Sequence, residues 1–249
     1  MDFSQFFTPA SRLPDGCGVA MYGPEHLGWL TVQAVVGVLA CLRFAKHDAA
    51  RQRHLLKVLA VWIIGQEILK DVIFIIVKGF TIGHLPLHLC GISIFICAAA
   101  AFSDSKLAQQ LLYAIVAPGA LSALLFPDWL FYPILNFASI HSFSIHFELV
   151  LFAALSIVGH RFRPDVRYLP KCFLFLLIIA TPIYFLNKLW NTNFLFINTP
   201  SPGSPLVAME KVFGNPGYIL ALAALFWIVW GVIYLPWILT KRHIRRNCV

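Results

Sequence analysis

The sequence predicts an all-α membrane protein, a bundle of seven transmembrane helices with its N-terminus outside and its C-terminus in the cytoplasm. Three observations predict it. Apolar residues fill 59% of 249 positions and charged residues only 12%, against roughly 25% charged in a soluble domain. Seven apolar stretches approach the about 20 residues that carry a helix across a bilayer. Lys and Arg gather in alternate connections. With 22 Phe and a mean hydropathy of +0.78, the chain has too little polar surface to coat itself in water. That excludes a soluble enzyme, a disordered tail and a coiled coil.

The stretches run over 27–44, 55–77, 85–102, 107–126, 143–159, 172–190 and 218–239. The first and fourth hold little polar beyond Gln33, Gln109 and Gln110. The second carries Gln66, Glu67, Lys70 and Asp71, and Gly79-Phe80-Thr81-Ile82-Gly83 turns the chain after it. The third opens Leu85-Pro86-Leu87-His88-Leu89-Cys90 and ends at the turn Ser103-Asp104-Ser105. Residues 127–140, with Trp129, Phe131 and Tyr132, read as an interfacial aromatic anchor. The fifth stretch brings His141, Ser142, Ser144, His146 and Glu148, and the sixth ends with Tyr184, Asn187 and Lys188. The connection 191–216 is long and rich in Asn, Pro, Gly and Ser. It reads as a lid dipping into the outer interface, where irregular backbone must be covered by protein or water. No internal repeat is visible, so 1–249 forms one membrane domain.

The net charge of +8 takes its meaning from this layout. Fourteen of the 19 basic residues flank the first, third and fifth connections or lie in the tail, against Arg12, Lys78, Lys188 and Lys211 on the other side. Positive charge stays in the cytoplasm, which sets the orientation and leaves no case for nucleic acid as a partner. A bacterial cytoplasmic membrane is the expected location. The first 26 residues lack a basic segment followed by an apolar core, so no cleaved signal peptide is expected. Six Cys show neither Cys-x-x-Cys nor zinc-like spacing, and no disulfide framework, metal or cofactor is expected. Cys17, Cys41, Cys172 and Cys248 read as incidental, and His26, His47, His54, His160 and His243 support no role.

Ionisable groups inside spans are costly and tend to mark function. Glu67, Lys70 and Asp71 share one helix face. At about 1.5 Å per residue, Cys90 is expected about 8 Å, His146 about 5 Å, Asp71 about 9 Å and Glu67 about 15 Å below the outer surface. One polar site opening outward follows, with Asn187 near its rim. In a regular helix His88 and Cys90 face opposite ways, so a base for a Cys90 nucleophile must come from another helix. His146 suits by depth, with Asn187 or Lys70 as oxyanion donors. The plainer readings stay open beside it: Cys90 as a small packing residue, His88 and His146 as cross-helix hydrogen bonders, and Glu67, Lys70 and Asp71 as a structural ion-pair knot.

Gly23-Pro24-Glu25-His26, the Leu85–Cys90 string and Asn193-Phe194-Leu195-Phe196, with the His of the fifth span and Asn187, resemble the YwaF-type integral membrane proteins over residues 20 to 238. Animal relatives of that family are regarded as acyltransferases acting on glycerophospholipids through a Cys and a His. The resemblance implies Cys90 as nucleophile and His146 as base; the polar residues His88, Glu67, Lys70, Asp71, His141, Asn187 and Asn193 are the candidates for binding substrate or supporting the pair. Two positions depart from the family's pattern: Ile145 separates Ser144 from His146, and Phe194 follows Asn193 where the family has Tyr. The expectation is a membrane-embedded acyltransferase or acyl hydrolase with membrane phospholipid as substrate. Its competitors are a small-solute or proton-coupled transporter using Glu67, Lys70 and Asp71, and a non-enzymatic membrane scaffold.

Overall fold

The computed structural model describes residues 5–103 and 105–246, the latter without side chains from residue 241 on. Asp2 of the N-terminal segment, Asp104 of the expected turn and Cys248 lie outside the described residues, as do the side chains of Lys241, Arg242, Arg245 and Arg246. Nine α-helices follow one another among the described residues: α1 Pro24–Phe44, α2 Ala49–Lys78, α3 Leu89–Phe102, α4 Lys106–Leu111, α5 Ala117–Leu125, α6 Phe137–Val158, α7 Leu169–Trp190, α8 Pro205–Phe213 and α9 Gly217–Arg246. No strand occurs among them.

Six segments are long and apolar enough to cross a membrane: Pro24–Phe44, Ile82–Phe102, Lys106–Leu125, Phe137–Val158, Val166–Trp190 and Gly217–Thr240. These match six of the seven expected stretches. The other, α2, is a 30-residue helix whose charges keep it out of that set.

Local chemistry sets the ends. Pro24 at the first helical position opens α1, where its missing N–H costs nothing. The Asp48 carboxylate accepts from the amides of Ala50 and Arg51 and caps α2; those amides, Arg51 first, hold it below the usual carboxylate range. Asn136 caps α6 through Ala138 N at 2.9 Å. It starts that helix at Phe137, six residues before the expected 143, because Ser139, His141 and Ser142 dilute the hydropathy without breaking the helix. Asn191, left-handed at φ 53°, ends α7 as a C-terminal cap.

α4 and α5 are one segment joined by π-helical Leu112–Val116. Pro118 has no N–H to give Ala114 O four residues back. The indole of buried Trp230 in α9 donates to that oxygen at 2.6 Å, so a tertiary contact replaces the missing helical bond. Ile115, Leu149, Phe152 and Trp230 belong to the core. α6 sits at its centre, packed against α1, α2, α3 and α5. The N-terminal segment folds over one end of the bundle: Asn136 Nδ2 donates to Gln5 O and Thr8 O, and Val19 N donates to Leu130 O at 2.7 Å.

Candidate active site in the helix bundle

The Leu-Pro-Leu-His-Leu-Cys string is a broken helix start. Ile82–His84 makes one 3₁₀ turn, and Leu85, at ψ 138°, is extended, as the residue before a proline is biased to be. His88 is the N-cap of α3 at ψ 157°. The expected opposition of His88 and Cys90 assumed a continuous helix through both and is corrected here: His88 lies outside the helix, and the 100° step does not govern its direction. Gly91 makes the bend feasible, since a Cβ there would meet Pro86 Cα at 2.8 Å.

Cys90 therefore stands in the first turn of α3, where backbone N–H groups lack helical partners and favour negative charge. Cys90 precedes the end of α3 at Phe102 by twelve residues, and His146 precedes the end of α6 at Val158 by twelve. Both lie about 18 Å along the helix axis from those ends. His146 is also about 14 Å from the start of α6, deeper than the expected 5 Å because the helix begins earlier.

His146 is fixed by two contacts. Its Nδ1 lies 2.7 Å from Ser142 O; a carbonyl only accepts, so Nδ1 carries the proton and Nε2 presents its lone pair. Its ring stacks on Trp129, with centroids 4.8 Å apart and planes 13° from parallel. Trp129 packs edge-on against Phe143 as well and is 6% exposed, so of the expected interfacial anchor Trp129 is a buried part of the bundle while Phe131 stays exposed. Among the described residues no hydrogen bond joins Cys90 to His146. His88 comes within electrostatic reach of His146 and Lys70, and Cys90 within reach of Glu67 and Lys70.

The predicted charged trio is self-paired. Lys70 Nζ meets Glu67 Oε1 at 2.5 Å and Asp71 Oδ1 at 3.0 Å, and Glu67 Oε2 lies 3.5 Å from His141 Nε2. One cation thus serves two carboxylates, and His141 ties the cluster to α6. The sequence reading left Glu148 and Gln66 out of the site. Glu148 accepts from Trp62 Nε1 at 2.9 Å and from Gln66 Nε2, two turns further along α6 than His141. Only the spacing of Trp62 and Gln66 on one face of α2 signals this second clasp.

Asn187 and Asn193 organise the loop after α7. Fully buried Asn187 donates to Phe194 O and accepts from Phe194 N and the Thr192 hydroxyl, each at 2.9 Å. Asn193 donates to Thr199 and accepts from the amides of Asn198 and Thr199. These bonds hold Leu195 and Phe196 at φ 60° and 53°, a left-handed backbone that costs roughly 1–2 kcal/mol per residue. The loop sets the Phe194 and Phe196 rings against His88, with centroids at 5.1 and 5.5 Å. Asn187 thus builds the cover over His88, and its amide oxygen and one N–H are committed to that cover rather than to an oxyanion.

His26 was assigned no role from sequence. It is buried, accepts from Tyr22 N at 3.0 Å, and its Nε2 donates to Leu124 O at 2.8 Å, joining α1 to α5. An apolar groove of about 480 Å³ runs between α3, α4 and α7, lined by Ile92, Phe95, Ile96, Leu107 and Ile179 among others. On α3 those positions lie opposite Cys90, so the groove and the thiol are on different faces.

Compared with known families, residues 21–234 match the model of the TMEM164 family. The chain belongs to that family and is a multi-pass membrane protein. No curated protein and no solved structure matches.

Proposed function

We propose that this member of the TMEM164 family is a membrane-embedded acyltransferase or acyl hydrolase in which Cys90 attacks the ester of a glycerophospholipid. One observation carries the reading. Twelve residues from the end of its helix, as Cys90 is from the end of α3, an imidazole is held in the single tautomer that leaves Nε2 free to take a proton. The Cys90 S–H proton passes to His146 Nε2 and the sulfur adds to the ester carbonyl carbon. The C–O bond to the glycerol breaks as the S–C bond is kept, and the leaving alkoxide takes the proton from His146. The thioester then yields its acyl group to an acceptor hydroxyl, or to water, by the same steps in reverse. A hydrogen bond between Cys90 and His146 is expected to form as substrate binds, because catalytic hydrogen bonds tighten in the substrate complex. The resemblance of the Leu85–Cys90 string and of the His of the fifth span to YwaF-type proteins favours the same chemistry.

The reading includes α2 as a seventh span. Val58, Val61, Ile68, Leu69, Val72 and Ile76 are exposed along it at spacings that form one apolar stripe. Eighteen residues at 1.5 Å give about 27 Å, close to the about 30 Å of hydrocarbon, with Gln66, Glu67, Lys70 and Asp71 turned the other way. Seven spans and the basic loops then put the N-terminus outside and the C-terminus in the cytoplasm. A bacterial cytoplasmic membrane fits that layout.

Purified protein in vesicles containing phospholipid with a radiolabelled acyl chain tests the reaction. Label should appear in a new lipid or in free fatty acid, and the rate should fall about 100-fold or more in Cys90→Ser and in His146→Ala. Equal rates in wild type and Cys90→Ser overturn the reading.

A further inference from the structure

Trp129 contributes more than packing. Its indole Nε1 is buried and has no hydrogen-bond partner in the protein, whereas the buried indole of Trp230 donates to Ala114 O. A buried unpaired donor costs roughly 1–3 kcal/mol. The same face of α6 carries a second such group. Ser139, two turns before His146, is buried with its hydroxyl unpartnered, although Ser156 in the same helix folds its hydroxyl back onto Phe152 O at 2.8 Å. Between them Trp129 lies flat on His146. His146 Nε2 has no protein partner either, yet unlike those two donors it is not sealed from its surroundings. Trp129, stacked on the imidazole, and Ser139, two turns before it on α6, thus each hold an unpaired donor, and His146 Nε2 is an unpaired acceptor. That pattern matches a ligand offering an acceptor oxygen.

We infer that Trp129 binds the acyl substrate, its indole N–H donating to the ester carbonyl oxygen while its ring holds His146 in place. The inference rests on the acyl-transfer reading and names the group in this fold that recognises the ester. The donor selects esters over ethers: a dialkyl ether lipid has the same chains and headgroup but no carbonyl oxygen.

Binding of two short-chain lipids, a diacyl phosphatidylcholine and its dialkyl ether analogue, is measured on full-length Cys90→Ser protein in detergent micelles, with Trp129→Phe added in a second variant. Phe keeps a ring against His146 and removes the N–H. Trp129→Phe should weaken diacyl binding about 10-fold and leave ether binding unchanged. Equal weakening of both lipids, which a purely structural Trp129 would give, overturns the inference, as does unchanged diacyl binding. If Trp129→Phe unfolds the protein, Ser139→Ala in its place must lower the ester preference, and failure to do so overturns the inference. The acyl-transfer reading fails separately: an ester preference that depends on Trp129, in a protein whose turnover does not depend on Cys90, removes the chemistry and keeps the site.

Discussion

Gly91 shows how one missing side chain sets up a reactive position. The Leu85–His88 segment lies directly on the first turn of α3, and a Cβ at 91 would press into Pro86 backbone, with Cα at 2.8 Å and C at 2.9 Å. Backbone does not yield as a flexible side chain does, so Gly91→Ala should move the segment, with His88 at its end and Cys90 two residues on. The expected cost is about 1–3 kcal/mol, read as a lower thermal midpoint in detergent together with a changed rate of Cys90 alkylation. An unchanged midpoint and rate would show that the segment is not held there by contact. Residue type alone made Cys90 and His146 legible: a thiol and an imidazole in apolar helices stand out whatever the fold. Trp129 was not legible, because an aromatic in a Pro- and aromatic-rich connection has the same local signal at an interface as when folded back onto a helix. Asn187 and Asn193 were visible as polar residues, but their commitment to the loop depends on hydrogen bonds across up to seven residues of irregular chain.

The elements make the same point about carbonyls. Periodicity finds α4 and α5 as a single stretch, and Pro118 marks where the ladder must fail, but only the packed bundle shows that Trp230 from α9 repairs it. Trp230→Phe should leave Ala114 O buried and unpaired, lowering stability by about 1–3 kcal/mol. In a Pro118→Ala background residue 118 regains its N–H and can close a regular helical bond to Ala114 O. The cost of Trp230→Phe should then shrink in thermal unfolding of the four proteins that complete the cycle. Equal costs in both backgrounds would mean that the indole contributes by volume alone. The early start of α6 has a related cause. Asn136 supplies the cap from its Oδ1 and ties down the N-terminal segment from its Nδ2, and this double duty is invisible to a hydropathy count. Asn136→Ala should therefore cost more than the roughly 1 kcal/mol of a lost cap, and protease cleavage near residue 8 should quicken as the segment loosens. Cleavage at the wild-type rate would separate the two functions.

For the whole molecule, the topology turns on α2. Six spans are marked by composition alone, while α2 is hidden from a composition count by its charges, of which Glu67, Lys70 and Asp71 share one face. An apolar stripe on one side and a self-paired cluster on the other would let a crossing α2 carry Glu67, Lys70 and Asp71 paired and mostly turned from hydrocarbon. His141 and Glu148 supply the matching polar face on α6, so the cost of burying charge becomes the means of fastening α2 to its neighbour. Span parity follows from this. If α2 crosses, the chain has seven spans and its ends lie on opposite sides; if α2 lies along the surface, six spans put both ends on the same side. Cys17, in the N-terminal segment and partly exposed, provides the test once the other cysteines are replaced. A membrane-impermeant maleimide should label Cys17 in intact cells, while an epitope tag fused after Val249 should react with antibody only after the membrane is opened. Replacing Glu67, Lys70 and Asp71 by Leu removes the internal pairs but strengthens the hydropathy of α2, and should leave this labelling pattern unchanged while loosening α2 from α6. Labelling of both ends from the same side would make α2 a surface helix, and would place the Glu67 cluster at the membrane boundary instead of at the depth of Cys90 and His146.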